Sequence, residues 1–156
     1  MVGSGRKWKG VFLMFMGEYS HTIDPKGRLI VPAKFREQLG SEFVLTKGLD
    51  GCLYGYSYEE WHKFEEHFQN LGSMTSNVRK LTRFFFASAC NLEIDKQGRV
   101  LIPANLREFA GLSKDVVLAG NLNRIEVWDK QKWDEANTFD DIDEVAESFG
   151  EMGLNI

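Results

Sequence analysis

The sequence predicts an α+β fold made from two tandem copies of one small unit, an internal pseudo-dimer with flanking helices. Three observations carry this. A signature occurs twice, IDPKGRLIVPAKFRE at residues 23–37 and IDKQGRVLIPANLRE at residues 94–108, with eight of fifteen positions identical and four more exchanging one apolar residue for another. Unrelated segments would match at roughly one position. The following stretches also correspond, FVLTKGLDGCLYGYSYEEW at residues 43–61 and VVLAGNLNRIEVWDKQKW at residues 116–133, each reading as strand, glycine-containing turn, strand and helix start. Finally, the short strands of one copy would leave bare edges, so both copies are expected to build one compact, pseudo-twofold β-barrel and not two independent beads.

The elements follow in order. Residues 1–13, MVGSGRKWKGVFL, fit neither copy and are read as a disordered or non-native leader, an early start codon being one source. Residues 14–72 form the first repeat with its helix, 73–145 the connecting helix and second repeat, and 146–156 an acidic tail. Within each signature, Gly27 and Gly98 suit a tight turn with positive φ. Asp24 and Asp95 can fold a carboxylate onto that turn's own amides. RLIVP and RVLIP read as short strands, ended by Pro32 and Pro103, which cannot donate to a ladder and suit a helix start. The helices AKFREQL and ANLREFA turn Phe35 with Leu39, and Leu106 with Ala110, inward, and close at Gly40 and Gly111. At an offset of 72, Gly48 matches Gly120, Leu53 matches Ile125, Tyr56 matches Trp128 and Trp61 matches Trp133, one residue having been gained after the signature.

Between the copies, Ser57 and Glu60 have capping-box spacing, and Trp61, Phe64, Phe68 and Leu71 fall on one helical face. LGSMTS breaks this helix, and Thr75 or Ser76 caps the next. Phe84, Phe85 and Phe86 read as core or subunit interface. From Trp133 onward the chain is expected to be helical at first and then frayed.

Charge is unevenly spread. The whole chain carries −4, but residues 126–156 hold 2 Lys/Arg against 10 Asp/Glu, while residues 1–125 hold 17 against 13. The face presented to a polyanion matters more than the total. No apolar run reaches membrane-spanning length. Cys52 and Cys90 make neither a metal pattern nor a disulfide framework, which reads as a cytoplasmic protein. His62 and Glu66 stand at i, i+4, but without a third ligand they read as a solvated face. The chain shows no catalytic constellation, so no enzyme activity, metal or cofactor is expected.

Function centres on Arg28 and Arg99, each directly after its turn glycine. An arginine on a stiff turn can fork onto guanine O6 and N7 or onto a phosphate. Lys26, Lys34, Arg36, Lys96 and Arg107 add charge suited to phosphates. The bland alternative is that each Asp simply pairs with its Arg. For Arg36 and Arg107 the alternative is a structural role, packing on their helices or pairing near Glu37 and Glu108.

The doubled D-x-x-G-R-(apolar)3-P-A unit resembles the swapped-hairpin DNA-binding barrels of the AbrB and SpoVT type. With MFMGEYSHTIDPKGRLIVPAKFRE, TRFFFASA and NRIEVWDKQKW, the chain resembles the MraZ family from residue 14 to about 145. The resemblance implies a bacterial transcriptional regulator, read as a repressor, that binds G-rich direct repeats of double-stranded DNA upstream of the division and cell-wall cluster that begins with its own gene. It implies nucleoid association, a ring-shaped homo-oligomer, and DNA contacts from Arg28 and Arg99 supported by Lys26 and Lys96. Position 97 is Gln, so the second turn carries its Lys one residue earlier than the first. An AbrB-like antitoxin and a ring-forming scaffold that does not read DNA are the alternatives.

Overall fold

The computed structural model describes residues 14–154 and 156. The leader expectation for residues 1–13 lies outside the described residues. In chain order the elements are β1 (Glu18–Thr22), β2 (Arg28–Ile30), α1 (Ala33–Leu39), β3 (Glu42–Lys47), β4 (Leu53–Tyr56), α2 (Tyr58–Leu71) and α3 (Ser76–Phe86). They continue with β5 (Cys90–Glu93), β6 (Arg99–Leu101), α4 (Ala104–Ala110), β7 (Asp115–Asn121), β8 (Arg124–Asp129), α5 (Lys130–Ala136) and α6 (Ile142–Ser148).

The strands form a six-stranded antiparallel sheet, β1-β7-β8-β4-β3-β5, and a separate two-stranded ribbon, β2-β6. The expected closed barrel is therefore corrected to an open sheet with a ribbon. Its end strands β1 and β5 do not pair with each other. The reason is local: the turns at Gly27 and Gly98 bend the chain out of the sheet, and the three-residue strands beyond them satisfy one another. Each ribbon strand is extended by a bond to the other copy's turn, Val31 N–H to Gly98 O at 2.8 Å and Ile102 N–H to Gly27 O at 2.9 Å.

Pairing across the copies is reciprocal. β1 of the first copy pairs with β7 of the second, Thr22 opposite Asp115, while β5 of the second pairs with β3 of the first, Glu93 opposite Glu42. The outer bonds match too: Ile23 N–H donates to Lys114 O at 2.8 Å and Ile94 N–H to Ser41 O at 2.9 Å. This register corrects one sequence equivalence. Lys47 faces Leu53 where Gly120 faces Ile125, so Gly120 stands in the place of Lys47, not of Gly48. The first hairpin closes through residues 48–52, whereas Asn121 pairs directly with Arg124 in the second. The second copy has thus gained two residues before β7 and lost one in the hairpin.

Side chains alternate across the sheet. Phe43, Leu45, Leu53, Val116, Leu118, Ile125 and Val127 point into a core shared with Leu29, Val100, Phe35 and Leu106 from the ribbon and helices α1 and α4. Tyr54, Tyr56, Val117 and Trp128 point the other way, against an aromatic layer from α2 and α3. Ser57 Oγ accepts from Glu60 N–H at 3.2 Å, and Thr75 Oγ1 accepts from Val78 N–H at 3.1 Å, capping those helices. Trp61, Phe64 and Phe68 pack in this layer, but Leu71 is exposed. Phe85 is buried, and Phe86 lies 5.0 Å from Trp61 between ring centroids, so the phenylalanine run packs within this layer. The tail does not simply fray, because α6 follows α5.

Candidate nucleic-acid interface

Each copy brings the same construction to the ribbon. In the first turn Gly27 N–H donates to Asp24 O at 2.9 Å, and Asp24 N–H to Arg28 O at 3.0 Å. In the second, Gly98 N–H donates to Asp95 O at 3.0 Å and Asp95 N–H to Arg99 O at 2.9 Å. Gly27 has φ 89° and Gly98 φ 80°, conformations that L side chains rarely adopt.

The aspartates hold both the turn and the arginine. Asp24 Oδ1 accepts from Lys26 N–H at 3.0 Å and Arg28 N–H at 2.8 Å, while its Oδ2 accepts from Arg28 Nε at 2.6 Å. Asp95 Oδ1 accepts from Gln97 N–H and Arg99 N–H, both at 2.9 Å, and its Oδ2 accepts from Arg99 Nε at 3.0 Å. The backbone N–H of Arg28, reinforced by its guanidinium, holds the Asp24 carboxyl below its usual range, and Arg99 does the same for Asp95.

The sequence alternatives are therefore compatible: the Asp–Arg pair exists and still leaves a usable arginine. Only Nε is engaged. Among the described residues neither arginine's terminal nitrogens have a hydrogen-bond partner.

In the ribbon, Leu29 and Val100 face the core, while Arg28, Ile30, Arg99 and Leu101 line the outer face. Arg28 stands opposite Leu101 and Ile30 opposite Arg99, placing the arginines on one diagonal. Diagonal neighbours on an antiparallel pair lie about 7–8 Å apart. Lys26 and Lys96 are exposed on the turns, and Lys34 is exposed on α1.

Two features were not read from the sequence. Arg36 of the first copy lies against Gly98 of the second, and Arg107 lies against Gly27, where an added Cβ would fall 2.8 Å from the guanidinium carbon. Arg36 Nη1 also donates to Val31 O at 2.7 Å, and Arg107 Nε to Ile102 O at 3.0 Å. These arginines brace the opposite copy's turn, and neither forms an ion pair with Glu37 or Glu108 among the described residues. Their repetition alongside each glycine was the available signal. The second feature, the exposed Ile30 and Leu101, follows only from ribbon register.

The other constellations stay apart from the ribbon. His62 Nδ1 pairs with Glu65 at 3.0 Å, not Glu66, and the described residues contain no group of three metal-ligating side chains. Burial pushes the thiols of Cys52 and Cys90 up, away from reactivity. No helix among the described residues is long and apolar enough to cross a membrane.

Fold and site together define a duplicated α+β unit that presents two braced arginine turns on one outward ribbon. A family model described as "MraZ protein, putative antitoxin-like" matches residues 14–84 and again residues 85–145. The chain belongs to the MraZ family, a family of regulators and not of enzymes. It is 54% identical over 142 residues to the "Transcriptional regulator MraZ" of Lachnoclostridium phytofermentans, covering 91% of this chain and 99% of that protein. Proteins of the same name from Clostridium beijerinckii and Acetivibrio thermocellus are each 51% identical, over 90% of this chain and all of theirs.

Proposed function

We propose that this chain is a sequence-specific DNA-binding transcriptional regulator whose β2-β6 ribbon reads guanines in the major groove. The observation that carries the reading is the pair of diagonal arginines with their Nε atoms held by aspartate and their terminal nitrogens without a partner among the described residues. A fixed guanidinium loses little freedom on binding and can fork onto guanine O6 and N7. Each repeat, 14–72 and 73–145, supplies one such turn. Lys26, Lys96 and Lys34 neutralise flanking phosphates, which sets register without reading sequence.

The reading extends to the swapped-hairpin architecture, supported by the reciprocal pairing of β1 with β7 and of β5 with β3. It extends also to a closed homo-oligomer that engages several G-rich direct repeats at once, repressing the division and cell-wall cluster at whose head its own gene stands. The cytoplasm, at the nucleoid, is the corresponding location. The relatives' name, transcriptional regulator, supports this function.

The test is fluorescence anisotropy on the DNA upstream of the chain's own gene and on a scrambled duplex. Wild type is expected to prefer the native repeats, and Arg28→Ala, with assembly intact by light scattering, to lose that preference. Equal affinity of wild type for both duplexes overturns the regulator reading, and unchanged selectivity in Arg28→Ala overturns the arginine-turn mechanism.

A further inference from the structure

The outer face of the β2-β6 ribbon is not wholly cationic. Ile30 is 42% exposed and Leu101 57%, while Leu29 and Val100 on the inner face are buried. Arg28 stands opposite Leu101 and Ile30 opposite Arg99, so each guanidinium has an aliphatic side chain directly across the ribbon. The four form a small checkerboard, cations on one diagonal and aliphatics on the other. Isolated apolar side chains on a surface are ordinary. These two differ because both copies place one at the same step, two residues after the arginine, on the face that carries both arginines.

A patch of two aliphatics flanked by the exposed Lys26 and Lys96 is ill suited to the core of a protein contact, where charged residues are depleted. It suits the major groove, where flanking cations meet phosphates. Base edges there are polar with one exception, the C5-methyl group of thymine. An aliphatic side chain is shorter than an arginine, and that methyl projects from the base edge into the groove. Residues directly opposite on an antiparallel pair have Cβ atoms about 4.5–5.5 Å apart. Stacked bases are about 3.4 Å apart along one strand. An aliphatic side chain opposite a guanine-reading arginine therefore falls within one or two base pairs of that guanine. Asp24 and Asp95 hold the arginine stems at Nε, which fixes this offset as well.

We propose that Ile30 and Leu101 are specificity-determining residues, each packing on the C5-methyl group of a thymine beside the guanine engaged by the arginine across the ribbon. The inference rests on the DNA-reading function above and adds a second kind of base to what the ribbon distinguishes. Cytosine at the same place lacks the methyl and presents an amine instead, so the contact separates two pyrimidines. Contacts to phosphate from Lys26 or Lys96 cannot do this, because they carry no sequence information.

The experiment is fluorescence anisotropy with the full-length chain on the duplex upstream of its own gene, made once with thymine and once with deoxyuridine throughout. Deoxyuridine pairs with adenine and keeps O4, so only the methyl groups are removed. Wild type is expected to bind the deoxyuridine duplex more weakly, by about fourfold for each methyl group contacted. Ile30→Ala with Leu101→Ala, its folding checked by circular dichroism, is expected to bind the two duplexes alike. Each single change is expected to remove part of the difference, and the singles carry the test should the double variant not fold. A methyl group that acted through DNA stiffness would leave the thymine-to-deoxyuridine ratio of the variants equal to that of wild type. That result overturns the inference. So does a wild type that prefers the native over a scrambled sequence yet binds thymine and deoxyuridine duplexes alike; the regulator reading then stands. Equal wild-type affinity for native and scrambled duplexes overturns the regulator reading, and this inference with it.

Discussion

The two arginine turns share their geometry and differ in where their lysine stands. Both have Asp, Gly and Arg at the same places, the same Asx bonds, the same Asp–Arg contact and the same bracing arginine from the opposite copy. Around that frame the first copy carries Lys26 and Lys34, where the second carries Gln97 and Asn105; the second has Lys96 where the first has Pro25. Duplication has thus kept what the ribbon needs to form and relaxed what surrounds it. The difference teaches which residues the fold demands of both copies and which a bound polyanion would sense in only one.

The strongest way to break the shared frame is Gly98→Ala. A Cβ there meets the Arg36 guanidinium, and φ 80° is strained for any L side chain. Strain of this kind costs on the order of 1–3 kcal/mol. Urea unfolding is expected to show a lower midpoint for Gly98→Ala, with Gly27→Ala also destabilised through Arg107. Equal stability of wild type and both variants would show that the cross-copy brace does not support the turns.

Next in size is the loss of an arginine. Arg28 and Arg99 sit on one diagonal of one face, so Arg99→Ala is expected to weaken binding to the native repeats about as much as Arg28→Ala. A lost bidentate guanine contact costs about 1–3 kcal/mol. Several copies bound together multiply that loss. Anisotropy that shows a selective loss for Arg28→Ala and none for Arg99→Ala would make the second turn a structural copy only.

A smaller effect should appear with acid. Both aspartates have carboxyls held below their usual range, so the stability they contribute is present above the unfolded value, near pH 4, and is lost as pH falls through the depressed folded values. Turn geometry is therefore expected to stay constant from neutral pH down to about 5. Carbon-13 titration of the two side-chain carboxyls checks this, and either one titrating at an ordinary aspartate value would mean its arginine is not held in solution.

The turns and helix stripes were legible because their constraints are local. Asp24, Gly27 and Arg28 lie within five residues, and Phe35 with Leu39 needs only the helical period. The pairing of copies was legible as a need, since three-residue strands cannot stand alone, but not as a geometry. Nothing within residues 28–30 says that they will pair with 99–101 and leave the sheet open. Register failed in the same way at Gly120: two glycines near two turns look equivalent until Leu53 and Ile125 show what each one faces. The braces of Arg36 and Arg107 were hidden because each acts on the other copy, far away on the chain, Arg36 at Gly98 and Arg107 at Gly27. α6 was missed because its acidic composition resembles a solvated tail, although its apolar residues keep a helical spacing.

The smallest and most discriminating changes exchange the charges that distinguish the turns. Lys26 and Gln97 hold equivalent places, both exposed, each giving its backbone N–H to the turn aspartate. Lys26→Gln and Gln97→Lys therefore alter side-chain charge while keeping the hydrogen bonds that shape the turn. If the first turn faces a phosphate through Lys26, Lys26→Gln should make the dependence of log affinity on log salt shallower by about 1 for each engaged copy. Gln97→Lys should make it steeper by a similar amount, provided the second turn faces phosphate as the first does. Neither change should alter the preference for guanine, because phosphate contacts carry no sequence information. Lys34→Ala tests the same effect from α1, where the second copy has Asn105 and no charge to lose. The measurement is anisotropy on native and scrambled duplexes across a salt series. A change in guanine preference would assign Lys26 to base reading. An unchanged salt slope in Gln97→Lys beside a changed one in Lys26→Gln would mean that the two turns, alike in every backbone bond, meet DNA at different depths.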